Sequence, residues 1–364
     1  MTGDDIDVRV GAHSQDADLV ASVLAQSRAD VLRVLEALFA ERKRTGYGPL
    51  YDLLADYPFR EGKGLRPAIC FSACRAAGGR IEQAMNSAAA LELFHNAFLV
   101  HDDVEDGSQF RRGALTLLES HGAPVAVNVG DATNVLALDL LLRNTESMGV
   151  RKALLVFREV ERMARESAEG QAIELGWIAE GQFELLDRDY VRMAYKKTCW
   201  YTVIAPLRIG VVCGSPPGPE APQSDDLLPL VELGFLAGIA FQIHDDLLNL
   251  EADEMLYGKE IGGDIWEGKR TVMLLHFLRS TDPEQRARAI ALLRSPRLMK
   301  NAAEVQWLLD AMVELGSLDH GRILAREYSE RALGALDACD LFTKEGDHRQ
   351  FLHAMLRYVI ERAK

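Results

Sequence analysis

Apolar residues recur at helical spacing along almost the whole chain, and no stretch alternates apolar with polar residues as a half-buried strand requires. That periodicity predicts an all-α protein. Helices are expected at about 16–44, 66–77, 81–106, 123–146, 150–176, 188–213, 226–252, 284–295, 302–314, 317–337 and 346–362. Breakers fall between them, at Gly46-Tyr47-Gly48-Pro49, at Gly78-Gly79 and in the run Gly214-Ser215-Pro216-Pro217-Gly218-Pro219. No hydrophilic linker divides the helices, so residues 16–364 read as a single domain behind a flexible polar tail at 1–15.

Charge narrows the function classes. With 41 basic and 55 acidic residues the formal charge is −14, a poor match for sequence-independent nucleic-acid binding. An anionic ligand would need local basic clusters or metal ions. The five cysteines sit among apolar neighbours without metal-ligand spacing, which points to buried free thiols in a reducing compartment. The start, MTGDDIDVRV, has no apolar core of a signal peptide, and the longest uncharged apolar run, Leu233 to Ile243, is short for a membrane span. A cytoplasmic protein without a transmembrane segment is expected.

Two long apolar helices end on the same motif. Phe98-Leu99-Val100-His101-Asp102-Asp103 is echoed by Phe241-Gln242-Ile243-His244-Asp245-Asp246. Asp102 and Asp106 are four apart, so their carboxylates share a helical face, with Asp103 at its edge. Like charges repel there and also meet the negative end of the helix dipole. A hard divalent cation reverses the sign of that interaction, and Mg²⁺ keeps room for water and phosphate ligands. A solvated helix end accounts for one such cluster about as well. Two clusters, each ending an apolar helix and able to face each other over one cavity, make chance the weaker account.

Basic residues stand close by in sequence. Lys63 and Arg66 lie in GKGLRP at a helix entry, where free backbone N–H groups also favour anions. Arg111 and Arg112 follow the first acidic cluster. Lys197-Thr198 lies on a helix, and Lys259 and Lys269 belong to the Gly-rich stretch YGKEIGGDIWEGKRT. Any one of these reads as a solvated charge, but their placement beside both acidic clusters points to two diphosphate sites.

The series GKGLRP, ELFHNAFLVHDDVEDGSQFRRG, NVGD, GQ at Gly170-Gln171, KT, FQIHDD and GKEIGGDIWEGKRT resembles, in order, the trans-prenyl diphosphate synthases, most of all short-chain synthases of the geranylgeranyl type. The resemblance covers about residues 60 to 275, and GSLDHGR and YVIER extend it. It implies a single bundle of antiparallel helices around a deep central cavity, usually a homodimer. It implies that Asp102, Asp106 and Asp245 ligate Mg²⁺, three ions with substrate bound, with Asp103 and Asp246 supporting them. Lys63, Arg66, His95 and Arg112 would hold isopentenyl diphosphate. Arg111, Lys197, Lys259 and Lys269 would bind the allylic diphosphate, whether dimethylallyl, geranyl or farnesyl. Thr198 and Gln242 would stand near the developing allylic cation. His101 and His244 are expected in structural roles. Gly64 departs from the basic residue commonest in GKxLRP, and Asn249 replaces the last aspartate of the second motif.

Chain length should depend on what lies beneath Asp102. Phe98 and Phe94 sit four and eight residues back on the same face, and Ala97 stands where many short-chain synthases carry an aromatic ring. A floor at Phe98 with no ring at position 97 favours a twenty-carbon product, with farnesyl diphosphate the alternative. A class I terpene cyclase lacks support, because no NDxxSxxxE-like motif is present and aromatic residues make up only 7%. A non-catalytic partner subunit would usually have lost aspartates that stand intact here.

Overall fold

The computed structural model describes residues 3–216, 222–251, 262–342 and 346–361, and among these the regular structure is helical apart from one minimal hairpin. The first helices are α1 (Gly3–Thr45), α2 (Gly48–Phe59), α3 (Leu65–Ala76) and α4 (Ile81–Asp106). The hairpin pairs β1 (Phe110–Arg111) antiparallel with β2 (Ala114–Leu115). Then come α5 (Leu117–His121), α6 (Ala123–Met148), α7 (Val150–Ala179) and α8 (Asp187–Ala194), which runs into a π-helix (Tyr195–Ile204) and α9 (Ala205–Gly214). The remainder is α10 (Leu228–Glu251), α11 (Gly263–Glu267), α12 (Val272–Ser280), α13 (Pro283–Arg294), α14 (Ala302–Glu314), α15 (Ser317–Asp337) and α16 (Asp347–Glu361).

The all-α expectation holds, with local corrections. Helix α1 begins at Gly3, so most of the expected flexible tail at 1–15 is helical; no proline interrupts that stretch. Helix α2 starts at the very Gly-Pro read as a break, because proline in the first turn gives up no intrahelical hydrogen bond. The hairpin is two residues a side, too short to show alternation.

Packing divides the chain into two compact units, Met1–Ala164 with Tyr201–Gly234 and Leu333–Tyr358, and Arg165–Trp200 with Phe235–Ala332 and Val359–Lys364. In the first, Ala88, Ala89 and Ala90 of α4 are fully buried. A Cβ on Gly210 or Gly214 of α9 would strike the backbone of Cys70 or Cys74, so α3 and α9 pack backbone to backbone. All five cysteines are free and buried, and burial raises the Cys213 thiol to about 11, as expected of inert core thiols. In the second unit, Tyr195, Trp200, Phe235 and Tyr328 form a chain of edge-to-face rings.

Helix α6 and the 225–251 segment carrying α10 are long and apolar enough to cross a membrane by length and composition, although charges such as Asp131 and Glu232 break up their uncharged runs. Core helices pass the same test, and 61% of the apolar window in the second is buried inside the protein.

Candidate active site

Helix α4 ends at Asp106, and Gly107, in the left-handed region at φ 63°, terminates it. Asp102 and Asp106 are partly exposed there, while the neighbouring Asp103 is only 1% exposed. Tyr57 of α2 donates its hydroxyl to Asp103 Oδ2 at 2.6 Å, and Arg111 of the hairpin donates from Nε to Oδ1 at 2.9 Å. The Tyr57 hydroxyl also accepts the Leu117 N–H at 3.2 Å. Burial, followed by the Asp103 charge, pushes the Tyr57 hydroxyl well above its ordinary pKa, which keeps it a donor. Asp103 therefore ties α2, α4 and the hairpin together, while Asp102 and Asp106 stay partly exposed.

Cations gather in the same unit. Arg66 of α3 is 9% exposed; it donates to Thr202 Oγ1 at 3.0 Å, and its Nε has no hydrogen-bond partner. Arg112 is held at φ 52° and donates to Tyr57 O at 3.1 Å. Burial lowers the Arg112 pKa; the Glu92 carboxylate acts against that, and repulsion from Arg66, Arg111 and Arg28 lowers it further. Arg28 of α1 was not foreseen, because nothing in its own sequence neighbourhood marks it. It explains Gly64: that residue sits at φ +64°, and a Cβ there would lie 2.8 Å from the Arg28 Cβ. Lys63 is exposed in the same loop. So many like charges, one with a buried unused donor, fit an anion that neutralises them.

Beneath Asp102, Phe98 and Phe94 meet at 6.4 Å between ring centroids, and Ala97 is fully buried. Phe98 packs edge-on against Tyr201 at 5.7 Å. His95 stacks on the same tyrosine at 5.9 Å, with the Arg66 guanidinium 4.5 Å from its ring centroid. Tyr201 was another omission, although it stands one turn after Lys197. His101 lies 3.5 Å from Asp131 of α6, and a Cβ on Gly130 would strike its ring, which accounts for the glycine of NVGD.

The second unit repeats the aspartate arrangement. Asp245 is partly exposed and Asp246 is buried, and Asp246 Oδ2 accepts from the Tyr190 hydroxyl at 2.7 Å. Gln242 Nε2 donates to Asp246 Oδ1 at 2.6 Å, and Gln242 Oε1 accepts from Thr198 Oγ1 at 2.7 Å. Burial and the neighbouring Asp264 push Asp246 well above the usual carboxylate range, against the hydrogen bonds from Tyr190 and Gln242, which favour the carboxylate form. Asp264 was not singled out in sequence. It is placed by Asn249, whose Oδ1 accepts the Asp264 N–H at 3.0 Å, so the departure at position 249 has a structural use. Lys197, in the π-helix, pairs with Glu174 of α7. Gly170 lets α7 approach there, since a Cβ would strike the Lys197 backbone. Lys269 pairs with Glu267 at 2.6 Å, and Lys259 lies outside the described residues. Among the described residues no three His, Cys, Asp or Glu side chains enclose an ion by themselves. Asp102 and Asp106, partly exposed one turn apart at the end of α4, offer carboxylate oxygens of the kind Mg²⁺ takes while it keeps water and phosphate in its shell.

The polyprenyl synthetase family model matches residues 49–312. The short chain isoprenyl diphosphate synthase of Methanothermobacter thermautotrophicus is 32% identical over 303 residues, covering 83% of this chain and 86% of that protein. The octaprenyl diphosphate synthase of Escherichia coli is 33% identical over 276 residues, covering 76% and 79%. A crystal structure of a polyprenyl synthase from Caulobacter crescentus, complexed with calcium and isoprenyl diphosphate, superposes with a TM-score of 0.80 at 27% identity over 95% of this chain and 98% of that one. The chain belongs to the polyprenyl synthetase family, the trans-isoprenyl diphosphate synthases, and is an all-α trans-prenyltransferase.

Proposed function

We propose that the protein condenses isopentenyl diphosphate head-to-tail with an allylic diphosphate and releases a short-chain product, geranylgeranyl diphosphate. The observation that carries this is the arginine group around Arg66 and Arg112, whose repulsion and unused Nε donor call for a polyanion. Asp102 and Asp106 in the first unit and Asp245 in the second are the Mg²⁺ ligands, three ions being held with substrate. Asp103 and Asp246 act as buried supports. Bound Mg²⁺ supplies charge neutralisation on the diphosphate leaving group. Lys63, Arg66, His95 and Arg112 orient isopentenyl diphosphate. Arg111, Lys197, Lys259 and Lys269 serve the allylic diphosphate; Arg111 does so while also bound to Asp103. Thr198 and Gln242 stand close to the allylic cation, Thr198 presenting its oxygen to it and Gln242 Oε1 holding the Thr198 hydroxyl proton. The proton lost after carbon–carbon bond formation passes to the diphosphate, so no histidine base is required.

Phe98, braced by Phe94 and Tyr201, sets the product length. Aromatic rings packed on two sides do not readily yield to a growing chain. The test combines purified protein, Mg²⁺, isopentenyl diphosphate and each of dimethylallyl, geranyl and farnesyl diphosphate, with products resolved by mass spectrometry. A twenty-carbon product is expected from wild type and a longer one from Phe98→Ala. An unchanged product from that variant would place the floor elsewhere, and no condensation with any primer would reject the reading.

The protein works as a cytoplasmic homodimer. Support comes from exposed apolar side chains on the first unit: Val135 and Leu142, seven residues apart on α6, and Val150 and Leu154, four apart on α7, are each more than half exposed. Leu142→Asp is expected to shift the mass measured by light scattering from dimer to monomer. A wild-type monomer at micromolar concentration would reject the pairing.

A further inference from the structure

The hydrogen bonds around Asp246 have a direction. Asp246 accepts at both oxygens, from Tyr190 at 2.7 Å and from Gln242 Nε2 at 2.6 Å. The Gln242 amide could not be reversed without setting its oxygen against a carboxylate oxygen. Its Oε1 therefore faces Thr198, which donates its only hydroxyl proton there at 2.7 Å. With that proton committed, Thr198 Oγ1 offers only lone pairs to anything else beside it. A fixed oxygen dipole is of most use where positive charge develops. Thr198 lies in the π-helix that follows directly on α8, the helix carrying Tyr190, so the first and last members of the relay are eight residues apart in one helical run.

We propose that Tyr190 is a positioning residue whose hydroxyl, acting through Asp246 and Gln242, fixes the Thr198 hydroxyl as an acceptor aimed at the allylic cation. This rests on the reading that places Thr198 beside that cation. Without the Tyr190 proton, Asp246 loses one of its two donors and is free to turn. Gln242 and Thr198 then sample both polarities, and in one of them the Thr198 proton points at the cation. Substrate binding does not pass through these atoms, so the effect belongs on kcat and not on KM.

The experiment is a double-mutant cycle in the condensation assay with Tyr190→Phe, Thr198→Val and the pair. Tyr190→Phe is expected to lower kcat by about tenfold to a hundredfold, with both KM values within about twofold of wild type. In the Thr198→Val background the same change should cost nothing further. Wild-type kcat in Tyr190→Phe would overturn the proposal, and so would losses that simply multiply in the pair, since those mark a structural role independent of Thr198. Should Tyr190→Phe fail to fold, Asp246→Asn carries the test at almost unchanged volume. Its amide group would donate to Gln242 Oε1, turn Nε2 toward Thr198 and reverse the relay, giving a loss of kcat that again vanishes in the Thr198→Val background. A loss that persists there would overturn the proposal. An inactive wild type would reject the condensation reading itself, whereas an active wild type matched by Tyr190→Phe would reject only the relay.

Discussion

Asp102→Ala and Asp106→Ala each lower turnover by at least about 10³-fold without unfolding the protein. The two carboxylates are partly exposed, one turn apart, at the C-terminal end of α4. They repel each other, and both face the negative end of that helix. Removing one takes away a partly exposed carboxylate and not a buried one, so its melting temperature without Mg²⁺ should fall far less than that of Asp103→Ala. What is lost is charge stabilisation on the departing diphosphate. Asp103→Ala should behave differently. It leaves Arg111 and the Tyr57 hydroxyl in a buried space without their acceptor, at a cost of about 3–5 kcal/mol. The discriminating measurement is therefore a pair, activity against Mg²⁺ concentration and melting without metal, for all three variants. Substantial turnover by Asp102→Ala would remove that residue from the metal role. Equal melting of all three would remove the distinction between outward ligand and buried support.

That distinction marks the limit of what the sequence displays. The helical period gave α3, α4, α6, α7 and α14 within a few residues, because each has a long apolar face that must be buried. It did not give α2, which opens on Gly-Pro, or α12, whose nine residues are mostly buried and carry only His276, Arg279 and Ser280 as a polar face, too short a stretch to set a period. The two acidic motifs were visible because like charges after an apolar run are costly and call for a reason. The division of labour within each motif was not, since Asp103 is adjacent to Asp102 in sequence and differs only in the direction its side chain takes. Tyr57 and Tyr190, which receive Asp103 and Asp246, come from other helices, 46 and 56 residues away. Arg28 and Asp264 were missed for the same reason: their neighbours in space are distant in sequence. Gly64 and Asn249, read from sequence as departures from a pattern, are explained by close contacts with Arg28 and with the start of α11.

Glu159→Ala should destabilise the first unit by about 3–5 kcal/mol, a large share of the roughly 5–15 kcal/mol that holds a domain together. Arg208 of α9 is fully buried, and its guanidinium donates to both Glu159 carboxylate oxygens, at 2.6 and 2.8 Å. Its remaining donors reach Leu227 O at 2.8 Å and Ser224 Oγ at 3.1 Å. The pair thus joins α7, α9 and the turn that opens α10. A guanidinium cannot shed its charge when its partner is removed. The alanine variant must therefore either hold an unpaired buried cation or admit water to it. The pair itself need not be stabilising, because desolvating two charges cancels much of their attraction. Glu159→Leu combined with Arg208→Met should accordingly recover most of what Glu159→Ala loses. Chemical denaturation of the three proteins measures both quantities. An unchanged midpoint for Glu159→Ala would mean that the Arg208 charge is solvated after all. A double variant as weak as the single one would assign the stability to the charge pair itself and not to the avoidance of a lone cation.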